Sequence, residues 1–304
     1  IESVAGSPRV GAVDVFVSTV VPAPALLAAM EGLRAHWPKV RRAEHMLAEN
    51  RGADIGQFLQ QVQALPPPRG LEYDFFVKVH TKGTGSWRHA GIDCLCGNAS
   101  QVDSVLDSFS ANPHLGLLGP KGLTFIPNTT RQHSTFNSPE VAAMQSVWAV
   151  MNETSPFPNR SAFAVSAGSF FWGRGAAFFG DGLLLAAARP LLERMEPGYR
   201  PGSCCQVPHA VERLIATRMR LHGYDVAAIG GPMSLRRSFD ELYDTPDGDY
   251  NPSVDPPPQV LRSGEKKNQQ RQVPKPQPQT KKHAKAGEES KHARRRRRPR
   301  RARG

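Results

Sequence analysis

The chain reads as an α/β protein built on a mostly parallel central sheet. Short apolar stretches suited to strands alternate with longer stretches whose apolar residues recur at helical spacing, the pattern that produces parallel sheets covered by helices. One of these strands stops at three consecutive polar groups, His80, Thr81 and Lys82. In open α/β sheets, ligands bind at the carboxyl ends of strands, so such a stop marks a candidate site. About 250 residues of mixed composition are also enough for one domain with a sizeable core.

A strand is expected over 13–20, followed by a helix over 24–36 with Leu26, Leu27, Met30 and Leu33 on its apolar face. The polar turn 49–54 leads into a helix over 54–64, which Leu65-Pro66-Pro67-Pro68 stops. A strand over 74–80 delivers the polar stop. Val102, Val105, Leu106 and Phe109 predict a helix over 100–110, and Leu115-Gly116-Leu117-Leu118-Gly119 a strand over 115–119. A helix over 139–151 and a strand over 167–172 follow. A helical pattern over 182–196 is broken or kinked at Pro190, and a last clear helix covers 207–222. No internal repeat is visible.

Charge divides the chain. Residues 251–304 hold 17 Lys and Arg against 4 Asp and Glu, whereas the remaining 250 residues carry 22 against 23. The formal net charge of +12 therefore belongs to the tail and says nothing of the partner of the folded part. The tail is rich in Pro, Gln, Lys and Arg and nearly free of large apolar residues. It cannot bury enough surface to offset its ordering entropy, so disorder is expected over 251–304. Its Arg294–Arg298 run is either a simple solvated segment or a non-specific contact for a polyanion such as nucleic acid, anionic lipid or glycan.

No stretch is apolar for 18 residues, so no transmembrane segment is expected. Cys94-x-Cys96 and Cys204-Cys205 do not have zinc-site spacing. They are either free buried thiols or, in an oxidising compartment, partners of each other across the chain. Four glycosylation sequons start at Asn98, Asn128, Asn152 and Asn159. Four in one domain favour a secretory lumen slightly, and the compartment stays open between cytoplasm and Golgi lumen.

Four motifs occur in order: Glu49-Asn50-Arg51-Gly52-Ala53-Asp54-Ile55-Gly56-Gln57-Phe58-Leu59, Tyr73-Asp74-Phe75-Phe76-Val77-Lys78-Val79-His80-Thr81-Lys82, Gly168-Ser169-Phe170-Phe171-Trp172-Gly173-Arg174, and His209-Ala210-Val211-Glu212-Arg213-Leu214. Together they resemble the rhamnan synthesis protein F family, sugar transferases of polysaccharide assembly, over roughly residues 13–230. The chain departs from the family pattern at Ala53, usually Arg, and at Gln57, usually Pro. The family normally opens with a strand and helix ahead of the segment matching Val13–Val20, so the first strand of the sheet is expected to be missing.

The resemblance implies a three-layer α/β/α fold of the kind called GT-A, over residues 1–250. It implies transfer of a deoxyhexose, rhamnose by family, from a nucleotide diphosphate sugar to a glycan acceptor, with inversion. Such an enzyme must offset the charge gained by the leaving diphosphate and must activate an acceptor hydroxyl. Lys82 and His80, with Thr81, are the expected donor-side groups, joined by Asn50, Arg51 and Asp54 from the upstream turn. A divalent Mn or Mg ion held by His80 and Asp54 is the alternative source of positive charge. Trp87 offers a flat face for a sugar ring, and Arg88, Ser169, Trp172 and Arg174 are expected on the acceptor side. Glu212 is the expected general base, with His209 one turn earlier on the same helix face. Asp181, Glu193 and Glu196 are weaker candidates. For each of these residues a purely structural role is the competing reading: a helix cap for Asp54, core packing for the aromatic residues, a buried bond for Glu212. A non-catalytic sugar-binding or scaffold domain with a polyanion-binding tail is the competing function.

Overall fold

The structure, a computed structural model, describes residues 1–65, 72–81, 89–127, 138–151, 155–158, 163–180, 185–198, 206–229, 234–236 and 260–261. All of them fall within one unit, Ile1–Glu265, and none within Lys266–Gly304. Apart from Val260–Leu261, the stretch read as a tail therefore lies outside the described residues.

The helices are α1 (Glu2–Gly6), α2 (Pro24–His36), α3 (Ala53–Ala64), α4 (Ala99–Ala111), α5 (Ser138–Val150), α6 (Leu185–Arg194) and α7 (Val207–Leu221). The strands are β1 (Val13–Thr19), β2 (Val40–Leu47), β3 (Phe75–Lys78), β4 (Leu115–Gly119), β5 (Thr124–Pro127), β6 (Val165–Ser166), β7 (Phe171–Arg174), β8 (Asp225–Ala228), β9 (Ser234–Arg236) and β10 (Val260–Leu261). Every helix the sequence predicts is present. Pro190 sits inside α6, which nevertheless runs on to Arg194.

The expectation of one mostly parallel sheet needs correction. The five-stranded sheet has the order β10-β8-β4-β7-β3, and only its β4–β8 pairing is parallel. A three-stranded sheet, β6-β5-β9, mixes both senses, and β1 pairs in parallel with β2 as a separate ribbon. The physical reason lies at residues 167–169. There a short 3₁₀ turn, with Gly168 at φ 73°, turns the chain so that β7 enters between β3 and β4 running against both. The strand expected over 167–172 accordingly begins only at Phe171.

Alternate residues of the sheet point into two cores. Leu117, Phe171 and Val226 pack with α3, α5, α6 and α7 on one side. Leu118, Trp172 and Ala227 pack with α4 on the other. Helices therefore cover both faces of the five-stranded sheet. The β1–β2 ribbon is tied to the start of β3 through the side chain of Asp14, which is wholly buried. Asp14 accepts hydrogen bonds from Arg41, Arg42 and Tyr73 at 3.0, 2.8 and 2.8 Å. Among the described residues no helix is long and apolar enough to cross a membrane.

Candidate functional site

A pocket of ≈ 850 Å³ opens where β1, the turn before α3 and the end of β3 meet the start of α7. Its walls include Ser18, Asn50, Asp54, Lys78, His80, Thr81, Gly168, His209 and Glu212. The volume falls within the range of small-molecule sites.

Local sequence explains how these groups converge. Gly52 adopts φ 66° and caps α3, with its open face against Met195, where a β-carbon would collide. The turn therefore folds back tightly and sets Asp54 in the first helical turn. Asp54 does not cap the helix; its side chain turns towards β3, where it accepts from Lys78. The antiparallel pairing of Lys78 with Phe171 then lays the Gly168–Ser169 turn alongside the end of β3. A parallel β7 would have carried that turn to the other end of the sheet.

The polar centre is a closed set of bonds. Lys78 Nζ donates to Asp54 Oδ2 at 2.8 Å, to Ser169 Oγ at 2.8 Å and to the Ser169 carbonyl at 3.1 Å. These three bonds use the full donor capacity of an ammonium. Ser169 Oγ in turn donates to Asp54 Oδ2. Lys78 is only 6 % exposed and sits 5.7 Å from the centre of the Phe58 ring. Burial by itself pushes the Asp54 carboxyl up. The charges of Lys78 and His80 and the bonds from Lys78 and Ser169 outweigh it and hold the group well below the usual carboxylate range.

His80 stacks on Phe170 at 4.4 Å between ring centres. Its Nε2 lies 2.6 Å from the Gly168 carbonyl and 3.5 Å from Asp54 Oδ2, and its Nδ1 lies 3.1 Å from the Thr81 carbonyl. Both ring nitrogens thus face carbonyl oxygens, and the doubly protonated ring is the form that donates to both. Gly168 is held on its other side as well: its N–H donates to Glu212 Oε1 at 2.6 Å. His209 lies one turn before Glu212. Burial pushes its imidazole below the ordinary value, against the opposing pull of Glu212.

A divalent ion at Asp54 and His80 does not fit this arrangement. The ammonium of Lys78 already sits against the Asp54 carboxylate, and among the described residues no three His, Cys, Asp or Glu side chains converge.

Of the residues read from sequence, the structure brings Asn50, Asp54, His80, Thr81, His209 and Glu212 to the pocket wall, with Ser169 fully buried just behind it. Three others have structural partners and do not line this pocket. Arg51 donates to the Met195 carbonyl at 2.9 Å and so secures the turn before α3. Trp172 is buried and donates to the Leu95 carbonyl at 3.0 Å. Arg174 donates to the carbonyls of Leu115, Phe109 and Asn112 and lies between the rings of Phe75 and Phe109. Glu193 pairs with Arg189 on the exposed face of α6, and Glu196 Oε1 accepts from the Val207 amide at the start of α7. Lys82, Trp87, Arg88 and Asp181 lie outside the described residues, as do Cys204, Cys205 and the sequons at Asn128, Asn152 and Asn159. Cys94 is buried, the Cys96 thiol donates to the Ile92 carbonyl at 3.5 Å, and Asn98 caps α4 by accepting from the Gln101 amide.

Lys78 was missed by sequence reasoning, although a signal was present. In a strand, residues i and i+2 share a face, so Lys78 stands on the same face as His80. A lysine amid Phe75, Phe76 and Val77 requires a buried partner, and Asp54 was the available carboxylate.

The fold and the pocket define an α/β protein with a candidate polar site at the end of β3 and at the amino-termini of two helices. The family described as rhamnan synthesis protein F matches residues 32–215, and the chain belongs to it. That membership sets it among proteins of polysaccharide synthesis, with sugar-related substrates. No curated protein and no solved structure matches the chain.

Proposed function

We propose that this protein is a glycosyltransferase of GT-A-like fold. It moves a deoxyhexose, rhamnose by family, from a nucleotide diphosphate donor to a glycan acceptor with inversion. The observation that carries the reading is the carboxylate of Glu212 lining the same pocket as His80 and Thr81, held through one oxygen by the Gly168 N–H. A carboxylate fixed through one oxygen retains the other to take a proton.

The chemistry follows from the geometry. The first turns of α3 and α7 both contribute to the pocket wall, and helix amino-termini favour anions such as a diphosphate. His80, when protonated, adds positive charge where the leaving group gains negative charge, and Lys82 follows two residues later in the chain. The acceptor hydroxyl attacks the anomeric carbon opposite the diphosphate, the bond from that carbon to the diphosphate oxygen breaks, and the hydroxyl proton passes to Glu212. Because no covalent sugar intermediate forms, one base suffices.

The test starts with a screen of nucleotide sugars for thermal stabilisation and turnover. Glu212→Gln preserves shape and can still accept from Gly168, so donor binding is expected to persist while turnover falls by about 10²–10⁴. Full turnover in the folded variant moves the base elsewhere. Donor binding by the parent protein with neither transfer nor hydrolysis would support a non-catalytic sugar-binding domain instead.

A further inference from the structure

We infer that Lys78 and Ser169 are positioning residues: with Asp54 they lock the Gly168–Ser169 turn, and the locked turn aims Glu212 and His80 into the pocket. The inference rests on the transferase reading and identifies what holds its two reacting-side groups in place. The backbone supplies the first argument. Gly168 and Ser169 have φ of 73° and 53°, so two consecutive residues are left-handed. Glycine adopts that form freely, but serine does so at a cost, and such strain persists where surrounding contacts over-determine it.

The contacts that do so here are on one side of the turn. Ser169 is bonded to Lys78 through both its hydroxyl and its carbonyl, and its hydroxyl also donates to Asp54. On the other side, both backbone groups of Gly168 serve the pocket: the N–H holds Glu212 at 2.6 Å, and the carbonyl lies 2.6 Å from His80 Nε2. The peptide groups of this turn therefore link one buried ammonium to both a carboxylate on α7 and an imidazole after β3, the imidazole also lying 3.5 Å from Asp54. If the turn relaxed towards right-handed backbone, the N–H and the carbonyl of Gly168 would rotate away together, releasing Glu212 and His80 in one step.

Ser169→Gly separates this role from simple stability. Glycine keeps the left-handed backbone without strain but lacks the hydroxyl, so the fold is retained while the turn is freed. Two measurements are made on the full chain. Nitrogen shifts of the His80 ring and hydrogen exchange at the Gly168 amide report the clamp. The kcat and KM for the nucleotide-sugar donor report its consequence. We expect faster exchange at Gly168, altered His80 shifts, and a fall in kcat of about 10²-fold with KM little changed, the scale on which a misplacement near 1 Å acts. Unchanged His80 and Gly168 signals would overturn the inference, as would altered signals with full kcat. If the parent protein turns over no donor, the transferase reading fails by itself, and the His80 and Gly168 signals then decide whether the clamp exists.

Discussion

Replacing Lys78 with Met tests whether the closed polar set at the end of β3 is held by its ammonium. Met keeps an unbranched chain over the Phe58 ring and removes only the charged end. Three hydrogen bonds are lost, to Asp54 Oδ2, Ser169 Oγ and the Ser169 carbonyl. The Asp54 carboxylate is left facing a thioether, supported among the described residues by Ser169 and by His80 at 3.5 Å. Removing one partner of a buried pair typically costs about 3–5 kcal/mol. The Asp54 side chain is 24 % exposed, so water relieves part of this and the low end, about 3 kcal/mol, is expected. Urea unfolding followed by tryptophan fluorescence measures it, with an unchanged m-value as the check that the unfolded state is the same. The Lys78→Met/Asp54→Asn double variant removes both charges and should recover part of the loss, with a coupling on the order of 1–3 kcal/mol. A loss under about 1 kcal/mol in the single variant, or strictly additive losses in the double, would refute the pairing as the anchor of this site.

Two further outcomes follow from the same geometry. Arg174→Leu leaves three carbonyls without their charged donor and should cost about 3 kcal/mol in urea unfolding, while donor KM in the folded variant stays unchanged because Arg174 faces the α4 core and not the pocket. Stability should also fall in two stages on acidification. The folded pKa of His209 lies below its ordinary 6.5, so the unfolded chain binds its proton first and stability drops as pH falls below about 6.5. The folded pKa of Asp54 is also depressed, so its contribution is present above about 3.8 and is lost as pH falls below that value. His209→Gln should remove the first stage, and Asp54→Asn should shrink the second, to which the depressed Asp14 carboxyl also contributes. A stability profile flat between pH 7 and 5 would contradict the buried, neutral His209.

Sequence carried the helices and the location of the site further than it carried the sheet. Apolar spacing and proline stops fixed α2, α3, α4, α5 and α7 to within a residue or two, because a helix's period is a local property. Strand direction is not local. Nothing in Phe171-Trp172-Gly173-Arg174 records that β7 runs against β3 and β4; that follows from the left-handed turn at Gly168 and Ser169, which appears in sequence only as a small-residue pair. β2 was missed because Val40–Leu47 carries Arg41, Arg42 and Glu44 without clean alternation, its charged groups being spent on Asp14 and on solvent. The same reasoning separates the residues that were legible at the site from the one that was not. Asp54, His80 and Glu212 were found because polar groups at helix starts and strand ends stand out against their neighbours. Lys78 sits inside an apolar strand, where its charge looks like an interruption of the core until its partner is known. Asp54 comes from α3, and the antiparallel entry of β7 brings Ser169 to complete that partner set. The reversal that the sequence did not foretell is therefore also what assembles the pocket.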